Sequence, residues 1–258
     1  MNEMKGNSMA VFNSNDIYPV SADSELPFEQ HRDIFHLTGI DQEETILLLY
    51  PPSKDDKTRE ILFIRKSDNH TKVWEGEKLS RKQANELSGI NSIYYIDDFK
   101  DILSSIATKV DTFYINKNEH YRSNSPVETR EDRFISWLLK NYPAHNVAKS
   151  NPILQRQRSI KHPDEIDQIK KACDITRRGF NRVLKFIKPS VWEYEIEAEF
   201  IHEFINNSSK GFAYSPIIAS GNDNNVLHYI KNNKQCKSGE LILMDVGAEY
   251  GNYSSAVS

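Results

Sequence analysis

The stretch Leu241-Ile242-Leu243-Met244-Asp245-Val246-Gly247 limits the fold more than any other part of the chain, because four apolar residues end in a carboxylate with a glycine close behind it. A buried strand of this kind delivers an acidic side chain to a cleft at the end of a sheet. Upstream, His228 lies between Leu227 and Tyr229. Taken singly, each residue has an ordinary alternative: a strand-end aspartate often caps a turn through its own backbone, and a histidine between apolar neighbours is often a hydrogen-bonded, half-buried side chain. The short connection between the two segments predicts adjacent strands of one sheet, and that juxtaposition makes Asp245 and His228 the candidates for chemistry.

The 258 residues, with 38% apolar content, suffice for two ordinary domains or one large one. Thirty-three Lys and Arg stand against 37 Asp and Glu, a net charge of -4, so nothing in the total favours a polyanion, and no nucleic-acid partner is expected. No stretch approaches the about 20 apolar residues of a membrane span, and residues 1–10 have no apolar signal-peptide core. The expectation is a cytoplasmic protein with no membrane partner. Cys173 and Cys236 are too few for a disulfide framework or a thiolate zinc site and read as reduced thiols packed in or near the core.

The first half alternates short apolar runs with polar turns. Residues 45–50 and 61–65 read as strands of a hairpin joined through Pro51-Pro52-Ser53-Lys54-Asp55-Asp56-Lys57, and 93–96 and 113–115 are further strands flanking a helix over 98–109. A mixed sheet with helices against it is the simplest packing. From Arg122 to Pro163 the character changes, with helical turns over 129–139 followed by Tyr142-Pro143 and Asn151-Pro152. The domain junction is placed there, giving domains 1–155 and 160–258. Residues 164–187 carry Ile166, Ile169, Cys173, Phe180, Val183, Leu184 and Ile187 as a wide helical stripe. Pro189 ends it, and Ser190 with Glu193 has capping-box spacing for a second helix over 191–206, with Ile196, Phe200, Phe204 and Ile205 facing inward. Strands follow at 217–220 and 241–245, the second entered through a turn at Lys237-Ser238-Gly239-Glu240.

These pieces, in this order, resemble the aminopeptidase P family of pita-bread metallopeptidases. The residues that carry the likeness run from Lys161 to Asp174, through Glu193 and Glu195-Ile196-Glu197-Ala198, to Tyr214-Ser215-Pro216-Ile217, Leu227-His228-Tyr229 and Asp245-Val246-Gly247-Ala248-Glu249-Tyr250. The first half resembles the family's amino-terminal domain at Phe35-His36-Leu37-Thr38-Gly39 and Trp74-Glu75-Gly76-Glu77. The resemblance implies an α/β amino-terminal domain with a mixed sheet, followed by part of a pita-bread α+β domain. It implies hydrolysis of the bond before a proline at the second position of a peptide, by a water bridging two divalent metals, commonly manganese. Two close cations lower the pKa of that water, and hard oxygen ligands suit them. Asp245 matches the first aspartate ligand, and His228 matches a histidine outside the metal shell that faces substrate.

The second aspartate ligand of the family falls at position 256, where this chain has Ala256, which cannot bind a metal. The family's other ligands, a histidine and two glutamates, would lie beyond residue 258, and Glu249 matches a framework position. The expectation is therefore that the chain binds no metal pair stably and has no measurable peptidase activity alone. A homo-oligomer, or a partner supplying the missing half-domain, is the expected assembly. Two alternatives remain open: a non-catalytic scaffold, oligomerisation or substrate-recognition module, and a prolidase- or creatinase-like relative. Trp74 and His36 are expected to be packing residues rather than catalytic ones.

Overall fold

Met9, Ala10, Val11 and Phe12 run without a polar break because they form the centre of a strand buried on both faces, β1 (Ser8–Asn13). The structure, a computed structural model, describes residues 1–118, 120 and 126–258; Arg122, where the sequence changes character, lies outside the described residues. The chain divides into two units, Met1–Ile160 and Lys161–Ser258.

In the first unit β1 is followed by a small hairpin, β2 (Pro19–Ser21) and β3 (Ser24–Glu25), then α1 (Arg32–Thr38), β4 (Ile46–Leu49), α2 (Asp56–Arg59) and β5 (Glu60–Ile64). Next come α3 (Asn69–Trp74), α4 (Arg81–Ser88), β6 (Ser92–Tyr95), α5 (Phe99–Ala107), β7 (Thr112–Ile115), α6 (Arg130–Asn141), β8 (Asn146–Lys149) and α7 (Asn151–Ser159). A six-stranded mixed sheet has the order β6-β5-β4-β1-β7-β8. β4 and β5 pair antiparallel, Ile46 opposite Phe63 and Leu49 opposite Glu60, as the hairpin reading expects. Alternation along the strands splits the core in two. Met9, Val11, Leu48, Phe63 and Phe113 pack under Leu103, Ile106, Phe134 and Leu138 on one face. Ala10, Phe12, Leu47, Leu62 and Ile64 pack with Ile34, Ala84 and Leu154 on the other.

Trp74 does not pack as expected: it is 74% exposed and stacks on His70 with ring centroids 6.0 Å apart. A charged clasp does the local anchoring instead. Arg65 donates to Glu43 at 2.9 Å and to both oxygens of Glu75 at 2.6 and 2.8 Å, so the residue beside Trp74 is tied down while the indole is left outside. His36 is half-buried on α1.

The second unit opens with α8 (Pro163–Phe186) and α9 (Glu193–Asn206), followed by β9 (Gly211–Phe212), β10 (Ile217–Ser220), β11 (Ile242–Asp245), β12 (Ala248–Tyr250) and β13 (Tyr253–Ser254). Pro163 starts α8, where its missing N–H costs nothing, and Glu165 accepts the His162 N–H at 2.8 Å. The expected stripe of α8 holds at Phe180, Val183 and Ile187, which join the core, and is corrected elsewhere. Ala172, Ile175, Thr176, Gly179 and Val183 are buried, whereas Leu184 is 66% exposed, Ile166 is 40% exposed and Cys173 is on the surface. The cause is close approach: a Cβ on Gly179 would lie 2.8 Å from the Phe204 ring and 2.9 Å from Phe200. Small residues therefore mark the face on which α9 sits. On α9, Ile196, Phe200 and Phe204 are fully buried, but Ile205, one step round the helix, is outside. Of the two thiols only Cys236 is buried, and both are free. Among the described residues no helix is long and apolar enough to cross a membrane.

Candidate active site

β10 and β11 pair antiparallel, with Ile217 opposite Asp245 and Ser220 opposite Ile242, so Asp245 is the last residue of a strand whose partner comes directly after Tyr214-Ser215-Pro216. That order brings the Tyr214 hydroxyl to Asp245, where it donates to Oδ1 at 2.6 Å. Burial, reinforced by the carboxylate, pushes the Tyr214 hydroxyl well above its ordinary range, so it stays a donor.

Beyond Asp245 the chain doubles back. The hairpin β12–β13 pairs Glu249 with Ser254 and Tyr250 with Tyr253, and the same register continues to Val246 opposite Val257, where both N–H···O bonds are 3.0 Å. Ala256 therefore stands across from Gly247. Gly247 is required here, because a Cβ would run into the Ser255 carbonyl. Val246 and Ala248 belong to the core under the helices, so Asp245 and Gly247 lie on the opposite face, and position 256 is the diagonal neighbour of Asp245 on that face. Thr176 and Ser255 hold the return strand to α8: their hydroxyls are 2.6 Å apart, and the Ala248 N–H donates to Thr176 Oγ1 at 2.9 Å. Glu249 is buried and its Oε1 accepts the Asn252 N–H, fixing the turn of the hairpin.

His228 is placed differently from the expectation. It is exposed in a turn between β10 and β11, not on a strand next to β11. The 3-10 turn Gly221–Asn225 takes the chain off the end of β10, and Tyr229, not His228, turns inward. Glu193 receives it. This carboxylate is fully buried; Oε1 accepts the Ser220 N–H at 2.8 Å and the Ser220 hydroxyl at 2.7 Å, and Oε2 accepts the Tyr229 hydroxyl at 2.7 Å and the Lys234 N–H at 2.9 Å. The Ser190–Glu193 capping box is thus corrected: α9 begins at Glu193, Trp192 is its cap, and Glu195 accepts the Trp192 N–H at 2.7 Å. Asn232 adds a second clasp, accepting the Ile218 N–H at 2.9 Å and donating to Glu197 and to the Pro216 carbonyl at 2.9 and 3.0 Å. Sequence reasoning assigned no role to Tyr214 or Tyr229 and the wrong one to Glu193, since nothing local distinguishes a capping glutamate from one that collects donors from distant segments.

Residues 1–114 match the family model of the aminopeptidase P N-terminal domain, and residues 167–258 match metallopeptidase family M24. The chain belongs to the aminopeptidase P family. It combines the aminopeptidase P amino-terminal domain with part of the M24 domain. It is 28% identical to Xaa-Pro aminopeptidase of Escherichia coli over 92% of this chain and 54% of that protein, and 27% identical to human Xaa-Pro aminopeptidase 3 over 95% and 48%. A solved Bacillus anthracis structure assigned to aminopeptidase P superposes with a TM-score of 0.90 at 29% identity, over 99% of this chain and 60% of that one. Zinc-substituted E. coli aminopeptidase P in complex with product gives 0.86 at 26% identity, over 98% and 58%. The chain spans about half the length of the curated relatives it matches.

Complete M24 aminopeptidases hold divalent metal, and the residues present here do not fit such a group. The face of β11 offers one carboxylate, one of whose oxygens already accepts from Tyr214, and a methyl group at position 256. Among the described residues no group of three or more His, Cys, Asp or Glu side chains is placed to hold a metal ion. One carboxylate gives too few fixed positions to retain a divalent ion.

Proposed function

We propose that this chain is the amino-terminal domain and the first part of the catalytic domain of an Xaa-Pro aminopeptidase, and that these 258 residues alone release no amino acid. The substrate class is a peptide with proline at its second position. In a complete site, with two manganese ions, Asp245 would be the residue of this chain that holds metal, and His228 would face the peptide. The setting is cytoplasmic, and the assembly is a homo-oligomer or a complex with a partner protein. The observation that supports this reading is the shared register of the Glu249–Ser254 pair and the Val246–Val257 bridge, by which position 256 is the diagonal neighbour of Asp245 on the open face of the sheet. A carboxylate there would make the diagonal pair that a bridged metal site needs. With Ala256 in place, no catalytic step runs through metal in these residues.

The same observation favours a second reading, in which the chain keeps the scaffold as a non-catalytic recognition or oligomerisation module. Manganese binding separates the first reading from a plain misassignment of the site. Ala256→Asp is expected to bind Mn2+ at least about tenfold more tightly than the unaltered chain, measured by the loss of the free-ion EPR signal. Equal binding by both proteins would contradict the placement of the site at Asp245 and position 256.

A further inference from the structure

We propose that Glu193 is the positioning residue of the His228 segment, holding it through the Tyr229 hydroxyl. The proposal rests on the reading that His228 faces substrate, and it assigns a role to a buried carboxylate that the metal chemistry does not use.

Residues 226–230 have few other holds: the Val226 N–H donates to the Asp223 carbonyl at 2.9 Å, and the Tyr229 hydroxyl makes a longer contact with Asn233 Oδ1 at 3.3 Å. Leu227 is 90% exposed, Ile230 60% and Val226 51%, and His228 is also outside; Tyr229 alone is buried, against Ile217 and Ala219. An apolar contact of one ring fixes depth but not direction, because dispersion has no preferred orientation. Direction comes from the hydroxyl, which ends on Glu193 Oε2 at 2.7 Å. The same oxygen takes the Lys234 N–H, so one atom gathers both sides of the excursion that carries His228, while Oε1 takes the N–H and hydroxyl of Ser220, where that excursion leaves β10.

A carboxylate suits this position where an amide does not. Four donors converge on two oxygens, and a glutamine would turn an NH2 group toward two of them. Among the described residues no Lys, Arg or His pairs with Glu193; the Lys234 ammonium goes to Asp223 at 2.5 Å instead. Burying an unpaired carboxylate is costly, and the four hydrogen bonds offset that cost only while the segment stays in place. The geometry therefore couples the charge of Glu193 to one arrangement of residues 220–234.

The test is hydrogen exchange on the 258-residue chain, read with the Cε1–Hε1 NMR signal of His228, which is assigned by its loss in His228→Gln. Tyr229→Phe keeps the ring and removes only the hydroxyl, so it folds even if Glu193→Gln does not. It is expected to speed exchange of the amides in residues 226–234 about tenfold and to shift the His228 signal, while the amides of β10, β11 and α8 stay within about twofold. Uniform acceleration across the unit, or an unmoved His228 signal, would overturn the proposal by showing that Glu193 acts only on stability. The functional reading is tested separately with an Xaa-Pro-Xaa peptide added to the unaltered chain. Failure of the peptide to perturb His228 counts against its substrate role, and the exchange result, read without peptide, is unaffected by it.

Discussion

The sheet of the first unit and the β10–β11 pair of the second are built from equally apolar strands, yet they are stabilised in different ways. In the first unit Leu48, Phe63 and Leu62 are inaccessible and helices cover both faces. In the second, one side of the sheet is sealed by Phe200, Phe204 and Val246, while Leu241 is 80% exposed, Leu243 39% and Leu227 90%. The open side is also the side of Asp245 and position 256. Besides the small apolar cluster of Ile217, Ala219 and Tyr229, what holds it is polar and specific: Tyr214 on Asp245, Glu193 on Tyr229 and Asn232 across three segments. Burial secures the first unit regardless of detail, whereas the candidate site depends on individual hydrogen bonds.

The largest expected effect lies in the first unit. Phe63→Ala removes a fully buried ring in edge-to-face contact with Phe99 at 5.2 Å and should cost about 3–5 kcal/mol, read as a loss of denaturant stability, while Leu241→Ala should stay within about 0.5 kcal/mol. Equal costs would dissolve the contrast. Next is Gly179→Ala, which drives a methyl group into the Phe200 and Phe204 rings and should cost about 1–3 kcal/mol in the second unit by chemical denaturation. A neutral result would mean that the sealed side is loosely packed as well.

Smaller is Tyr214→Phe, which removes one charge-assisted hydrogen bond from a half-buried aspartate. A loss of about 1–2 kcal/mol is expected, with the unfolding slope unchanged. The smallest effect belongs to an exposed cap. Hydrogen bonds from Thr129, helped by Lys117 nearby, hold the Asp132 carboxyl down at about 2. A depressed folded value gives stability that is present above the unfolded value of 3.8 and is lost as pH falls toward about 2. The Tm gap between the unaltered chain and Asp132→Asn should therefore be constant above about pH 5 and close below it. A gap that widened on acidification would mean that the folded chain does not favour the ionised Asp132 carboxylate.

Much of this arrangement was legible in the sequence, and the misses have physical causes. The β4–β5 hairpin followed from two apolar runs around a turn of Pro, Ser and Asp, and the carboxyl end of α8 followed from Pro189. The inner stripe of α8 followed only at Phe180, Val183 and Ile187, because periodicity looks for large apolar residues and much of this interface is made by Ala172, Thr176 and Gly179 under the rings of α9. β1 went unread, although Met9 to Phe12 is apolar, since a strand buried on both faces shows no alternation. The strand that ends at Asp245 is legible from its apolar run, whereas the turn that carries His228 is not, because it is held by Glu193, 35 residues away. Contacts of that range leave no local pattern.

Whether these residues carry one side of a metallopeptidase site without completing it is decided by manganese-dependent release of the first residue from an Xaa-Pro-Xaa peptide by purified protein whose intact mass matches 258 residues. The account predicts no release above the metal-only control. Turnover at that mass would contradict it and would mean that Asp245 is not working alone.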